Sequence, residues 1–133
     1  MSLTLPTLTI PQPWWLTSNG RYHYMDKARR TRCIRDAAAL TYRGRKAPGT
    51  GPWLVVAHIG YPTAGRVDPP NAWPAIKAAI DGAVDAGVFP DDSDEFLVGP
   101  LMLRAPGRTQ KGVHKITLTI TDQEVPWLAN TPA

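Results

Sequence analysis

The sequence predicts an α+β fold in which a small mixed sheet of about four strands packs against two helices. The 133 residues, of which 43% are hydrophobic, fit one globular domain spanning residues 1–133. Two long segments have helical periodicity and alternate with short β-branched runs, giving the element order β, α, β, α, β, β. The predicted strands cover residues 3–10, 53–59, 96–104 and 114–120.

The first half of the chain alternates one strand and one helix. Residues 3–10, LTLPTLTI, are rich in β-branched residues, and Pro6 predicts an edge strand or a bulge. The segment TSNGRYHY has turn chemistry followed by tyrosines, because Asn-Gly favours tight turns. A helix then follows from Asp26, a good N-cap residue, to about Tyr42.

The second helix is the best-defined element of the sequence. The loop RGRKAPGTGP precedes WLVVAHI, an apolar run short enough to be a buried strand. After YPTAGRVDPP, Pro74 is compatible with a first helical turn and Gly87 stands where a left-handed C-cap belongs. The polar face of this helix carries Lys77, Asp81 and Asp85 at four-residue spacing.

Two strands complete the predicted sheet. The loop VFPDDSDE leads to FLVGPLMLR, and a turn containing Gly107 and Gly112 leads to HKITLTI, whose alternation is typical of a half-buried strand. The tail beyond Asp122 is expected to be frayed or docked only by Trp127. Trp14, Trp15 and Trp53 are expected in the core or a dimer interface, and His23, His58 and His114 in packing or surface roles.

The net charge of +4 is distributed unevenly. Residues 21–46 hold nine basic and two acidic side chains, a net +7, whereas residues 81–95 hold six acids and no base. This asymmetry suits a protein that contacts phosphate backbones with one surface and gathers cations with another. The alternative for the basic residues is a solubilising helix face. The expected DNA-binding residues are Arg21, Lys27, Arg29, Arg30, Arg32 and Arg66.

Composition also excludes several classes. No apolar run approaches the roughly 20 residues that span a bilayer, so no membrane partner is expected. The N-terminus lacks the basic and apolar regions of a signal peptide, which favours the cytoplasm. The single Cys33 cannot close an intrachain disulfide. No Rossmann fingerprint or phosphate-binding loop is present.

Carboxylates stand at the ends of predicted elements, where they can converge. Asp68 precedes the second helix, and Asp91 and Asp92 precede the third predicted strand. Magnesium takes oxygen ligands and keeps several waters, so two or three such carboxylates suffice to hold it at a phosphodiester. Lys77 is the candidate for offsetting charge on the reacting phosphate.

The run RVDPPNAWPAIKAAIDGAVDAGVFPDD, residues 66–92, resembles the signature of the RusA family of Holliday-junction resolvases. In that family an aspartate turn with an asparagine opens a helix bearing a lysine, and a glycine ends the helix shortly before an Asp-Asp pair. SNGRY, the basic helix and ITLTI also lie in family order. The resemblance implies a RusA-like homodimer that nicks four-way DNA junctions with Mg²⁺ or Mn²⁺, in recombination and repair.

The resemblance assigns roles to individual residues. Asp68 matches the turn aspartate, Asn71 the asparagine, Lys77 the helix lysine and Asp92 the later catalytic aspartate. The implied catalytic residues are Asp68, Lys77 and Asp92, and the implied metal ligands are Asp68, Asn71, Asp91 and Asp92. It also implies bacterial cytoplasm, with a phage or prophage gene as an alternative.

The chain departs from the family pattern in two ways. Pro70 stands where the family has a second turn aspartate, as in what resembles a phage-type Asp-Pro-x-Asn variant, and Lys77 lies six residues beyond Asn71, farther than usual. A noncatalytic binding protein for branched DNA, or a nuclease for other branched DNA, therefore stays open. So do plainer readings, with Asp68 as a helix cap, Lys77 with Asp81 as a surface ion pair, and residues 91–95 as a solvated acidic loop.

Overall fold

The fold is a mixed five-stranded sheet with two helices, and the predicted α+β class is confirmed. The computed structural model describes residues 1–122; the predicted tail contact of Trp127 lies outside this range. Strands β5, β3 and β4 run across the sheet in that order, with β1 and β2 both on the free side of β5. The elements are β1 (Ser2–Thr4), β2 (Leu8–Pro11), α1 (Tyr24–Thr41), β3 (Trp53–Gly60), α2 (Trp73–Asp85), β4 (Leu97–Arg104) and β5 (Val113–Asp122).

Strand directions follow from the connections. β3 and β4 are parallel, because α2 provides the crossover between them, and β5 pairs antiparallel with β1, β2 and β3. The single first strand predicted for residues 3–10 is two short strands, because Pro6 lacks an amide hydrogen and interrupts the ladder. That division accounts for five strands where about four were expected.

The helix starts differ from the predicted ones in one case. α1 begins at Tyr24, and its N-cap is His23, three residues before the predicted N-cap Asp26. The His23 Nδ1 accepts a hydrogen bond of 3.2 Å from the Met25 amide. The carboxylate of Asp26, the predicted cap, instead binds Arg29 and Arg30. α2 has Pro74 in its first turn, and Gly87 just beyond its end has φ +83°, both as predicted.

The core lies between one face of the sheet and the two helices. Alternate residues of β3 and β5 are buried, and α1 and α2 contribute Ile34, Ala38, Ile76 and Ala79. The helices approach closely at Gly82: a Cβ there would lie 2.5 Å from Ala38 Cβ and 2.5 Å from the Arg35 carbonyl oxygen. No helix within residues 1–122 has the length and apolar character needed to cross a membrane.

The other face of the sheet is more open. Pairing registers place Val56 beside Leu101 and His58 beside Leu103 on this face. Val56 and His58 are half-buried, whereas Leu101 and Leu103 are exposed. The continuous apolar run of β3 is therefore buried on one face rather than on both, because both helices occupy the same layer.

Candidate functional site

Helix α2 and the loop after it bring a lysine and two carboxylates together. Lys77 Nζ donates a hydrogen bond of 2.7 Å to Asp81 Oδ1, and it also forms an ion pair with Asp92 Oδ2. Asp81 lies one turn after Lys77 on the same helix, whereas Asp92 lies 15 residues after Lys77, in the loop that follows the helix. The structure therefore joins two residues that the sequence proposed for one site, Lys77 and Asp92.

The pair is partly screened from solvent. The Lys77 side chain is 43% exposed, and those of Asp81 and Asp92 are 24% and 30% exposed. The hydrogen bond from Lys77 lowers the pKa of Asp92, against an opposing effect of partial burial. Partial burial opposes the charge of Lys77, but its bonds to Asp81 and Asp92 raise its pKa. Both shifts favour the charged forms of Lys77 and Asp92 at neutral pH.

The plainer reading of Lys77 as only a surface ion pair accounts for part of this geometry. An i, i+4 pair with Asp81 contributes about 0.2 to 0.5 kcal/mol in an isolated helix. The additional contact with Asp92 lies outside that pattern, because Asp92 reaches Lys77 from a separate loop. The ammonium thus stands where carboxylates from two elements converge.

Asp91 completes the acidic side of this loop. Its Oδ1 accepts a hydrogen bond of 2.8 Å from the Asp92 amide, which holds the Asp91 side chain against the Asp92 backbone. Asp91 is exposed, and so are Asp94 and Glu95 farther along the loop. Asp91 can therefore present a carboxylate to solvent beside Asp92.

A cavity of about 170 Å³ opens beside the ion pair. Lys77 and Asp92 are its charged members, and Trp73 stands at the first residue of α2. The remaining lining is apolar or glycine, from β3, α2 and β4: Val55, Ile80, Leu97, Gly99 and Pro100. The lining thus combines one ion pair with mainly apolar side chains.

Asp68 lies in a separate turn before α2. Its backbone carbonyl accepts a hydrogen bond of 3.0 Å from the Asn71 amide, which opens a short 3₁₀ helix over Pro69–Ala72. Its side chain makes no capping hydrogen bond and is exposed. The capping interpretation therefore does not account for the carboxylate, which remains open to a ligand.

Arg104 holds the loop that leads to this turn. Its Nη1 donates to the Gly65 carbonyl at 2.8 Å and its Nη2 to the Thr63 carbonyl at 2.6 Å. Its guanidinium also lies over the Tyr61 ring, 5.6 Å from the centroid. Burial raises the pKa of Tyr61, Arg104 opposes that shift, and the nearby charge of Asp68 adds to it. Tyr61 and Arg104 are therefore in contact, and the charge of Asp68 acts on Tyr61.

The donors fit a hard cation in kind. Mg²⁺ is commonly held by one or two carboxylates and several waters, and Asp91 with Asp92 supplies two adjacent carboxylates. Asp81 and Asp92 already converge on one positive atom, Lys77 Nζ. Within residues 1–122, however, no group of three or more His, Cys, Asp or Glu side chains has the arrangement of a metal cluster. Asp68 and Asp92 therefore do not meet in such a group.

The predicted DNA-binding residues divide into two sets. Arg29 and Arg30 both bind Asp26, and Arg30 also donates to the carbonyls of Gln12 and Trp15 and lies over the Tyr22 ring. Arg30 is thus largely engaged in internal contacts. The exposed members without a carboxylate partner in residues 1–122 are Arg21, Lys27, Arg32 and Arg66.

Two of these bases border a concave surface near the second helix. Arg21 and Lys27 line a groove of about 630 Å³ together with Ser18, Tyr22 and Pro74. The Ser18 amide donates to the Asn71 carbonyl at 2.8 Å, which ties this loop to the turn that follows Asp68. The basic groove and the aspartate turn are therefore structurally connected.

Sequence reasoning missed Trp73 and Arg104. Trp73 followed the Asp-Pro-Pro-Asn turn and preceded Pro74, a signal for a side chain at a helix start. Several of its pocket neighbours, however, come from strands far away in sequence, among them Val55 and Leu97. Arg104 ended a predicted strand and gave no local sign of reaching back to residues 63–65.

No protein-family model matches the chain, and no curated protein matches it.

Proposed function

We propose that this protein is a Mg²⁺-dependent endonuclease that cuts branched DNA and resolves four-way junctions by phosphodiester hydrolysis. The observation that carries the proposal is the Lys77–Asp92 contact, which joins two residues to which the RusA resemblance assigns chemistry. Their separation along the chain makes an accidental helix-surface pair a poor explanation. The position of Asp68, at the entry to the same helix, is compatible with this assignment.

The proposal gives each residue of the site a separate role. Asp92 and Asp91 would hold the cation. Asp68 and Asn71 are the further oxygen ligands that the resemblance implies, although Asp68 does not meet Asp92 in a group of ligands within the described part of the chain. These residues would hold a Mg²⁺ or Mn²⁺ ion that, when bound, would supply an activated water and stabilise the leaving oxygen. Lys77 holds a positive charge beside Asp92, where it can stabilise negative charge developing on the phosphate. Asp81 holds Lys77 in place through its 2.7 Å hydrogen bond.

DNA binding is assigned to the basic surface. Arg21, Lys27 and Arg32 on or before α1, with Arg66 near the aspartate turn, are exposed and can neutralise backbone phosphates. A homodimer would present two such sites and allow paired nicks on opposite strands. The corresponding cellular role is DNA recombination and repair in the bacterial cytoplasm, with a phage or prophage gene as the alternative source.

Cleavage of labelled DNA tests the substrate class. Purified protein with Mg²⁺ is incubated with a synthetic four-way junction, a flap, a fork and a linear duplex of matched sequence. We expect paired nicks near the crossover of the junction and none on the linear duplex. Equal cutting of all branched forms would replace the resolvase by a general branched-DNA nuclease, and cutting of the linear duplex would contradict structure specificity.

A noncatalytic branched-DNA-binding protein is the second candidate. One observation favours it: Pro70 stands where the family has a second turn aspartate. Metal binding separates the two candidates, because an ion that binds only the folded protein raises the free energy of unfolding. A thermal midpoint that rises with Mg²⁺, and rises less in Asp92→Asn, supports the nuclease. Junction binding with no Mg²⁺ effect on stability supports the binding protein.

A further inference from the structure

An aromatic side chain stands beside the ion pair without a function in the chemistry described above. Trp73 is 39% exposed, although tryptophan has a large apolar surface whose burial is favourable. The other tryptophans of residues 1–122, Trp14, Trp15 and Trp53, are buried or half-buried. Trp73 is thus the exposed tryptophan of the described chain, and it lies at the start of the helix that carries Lys77.

Trp73 also forms one wall of the cavity beside Lys77 and Asp92. The apolar lining includes Val55, Ile80 and Leu97, and the two charged members, Lys77 and Asp92, contact each other. The volume of about 170 Å³ suits a single planar ring system and is too small for a base pair. An apolar slot with an aromatic wall and a few polar groups at its edge is the usual form of a small-molecule subsite.

We propose that this cavity receives one unpaired nucleobase, which stacks on Trp73 while its phosphate lies near Lys77 and Asp92. The inference rests on the proposed function, because it assigns the ring to the DNA cut at this site. Every base has an aromatic face, so stacking on Trp73 would accept different bases.

A nucleobase in the cavity beside Trp73 would give the protein a preference for branched DNA. A base within a linear duplex must be unstacked and unpaired before it can enter a protein pocket, and this costs free energy. A base at a strand exchange point or in a single strand is already free or less firmly paired. The pocket would therefore favour junctions and single strands over duplexes at the same phosphate contacts.

Affinity measurements with three variants test the stacking surface. Wild type, Trp73→Ala, Trp73→Phe and Leu101→Ala are titrated against a four-way junction, a single strand and a linear duplex, with Ca²⁺ in place of Mg²⁺ to suppress cutting. We expect Trp73→Ala to lose about tenfold in affinity for the junction and the single strand, with unchanged duplex binding. Trp73→Phe should keep most of the affinity.

Leu101→Ala is the matched control, since Leu101 is an exposed apolar residue on the opposite face of the sheet. It should bind all three DNAs like wild type. Equal losses on all DNAs in Trp73→Ala, or no loss on any, would overturn the proposal. Urea unfolding of each variant shows whether the fold is kept.

Photocrosslinking gives a readout that does not depend on the variants. A single strand carrying one 5-iodouracil is irradiated with wild-type protein, and the crosslinked peptide is identified by mass spectrometry. A crosslink at Trp73 supports the pocket; crosslinks only elsewhere, or none, contradict it. Neither experiment depends on DNA cutting. A protein that crosslinks at Trp73 but never nicks DNA would refute the nuclease and support the base pocket. A protein that nicks the junction but does not crosslink at Trp73 would support the nuclease and refute the base pocket.

Discussion

Protonation of His114 should destabilise the protein in mildly acidic solution. His114 is 8% exposed, its ring stacks on Trp15 with centroids 4.0 Å apart, and its Nδ1 has no hydrogen-bond partner in residues 1–122. Burial lowers its pKa from 6.5 to about 4. Between these values the unfolded chain binds more protons than the folded chain, so stability falls as the pH decreases.

The size of the effect follows from the two pKa values. Linkage gives a loss of about 2 kcal/mol between pH 7.5 and pH 5.0, and about 3 kcal/mol once the pH is well below 4. His114→Phe keeps a ring against Trp15 and removes the titrating group. The variant should therefore lack this part of the pH dependence, and it should be at least as stable as wild type at pH 7.5.

Urea unfolding at pH 7.5 and pH 5.0 measures the difference. Wild type should lose about 2 kcal/mol more than His114→Phe between the two conditions. His23, His58 and the carboxylates are present in both proteins, so their contributions cancel in the comparison. Equal losses in the two proteins would refute the account of His114 as a buried neutral imidazole.

Three further predictions concern packing and DNA binding. Gly82→Ala should lower the free energy of unfolding by about 1 to 3 kcal/mol, because the added methyl group overpacks against Ala38 and the Arg35 carbonyl. If urea unfolding instead shows an increase of about 1 kcal/mol, as helix propensity alone would give, the close contact at Gly82 is contradicted. Tyr42→Phe should raise the free energy of unfolding by about 1 kcal/mol, since the buried Tyr42 hydroxyl has no partner in residues 1–122; a clear loss would show that the hydroxyl is bonded. Arg21→Ala with Lys27→Ala should reduce the salt dependence of junction binding by about one to two units of slope; Lys111→Ala in the turn before β5 is the control, and an unchanged slope in the double variant would exclude the basic groove.

The local part of the fold could be predicted from the sequence. Pro74 and Gly87 mark the start and end of α2, because each acts within a few residues of its own position. His23 was missed as the cap of α1, because Asp26 is the stronger cap by type and its engagement with Arg29 and Arg30 is a matter of side-chain geometry. Short-range signals fix an element's existence more firmly than its first residue.

The strand pairing was harder to predict from the sequence. The sheet joins β5 with both β1 and β2, from opposite ends of the described chain, and no local pattern specifies such partners. The division at Pro6 could be anticipated as a bulge, but not as two separate strands. The register also decided that Leu101 and Leu103 would face the open side of the sheet.

The candidate site shows the same division. Asp68, Lys77 and Asp92 could be selected because their spacing carried a family resemblance. The contact of Lys77 with Asp92, the internal engagement of Arg30 and the pocket beside Trp73 depend on how separate elements pack. Residue chemistry indicated candidates for function, and tertiary packing determined which of them meet.

Single-turnover nicking of a labelled four-way junction tests the central claim most directly. Wild type, Asp92→Asn and Asp94→Asn are compared with Mg²⁺ and with EDTA; Asp94 is an exposed acid of the same loop and serves as the matched control. We predict paired nicks by wild type and Asp94→Asn that require Mg²⁺, and a loss on the order of 100-fold or more in Asp92→Asn. Nicking by Asp92→Asn at the wild-type rate, or a wild type that binds the junction without cutting it, would contradict the account.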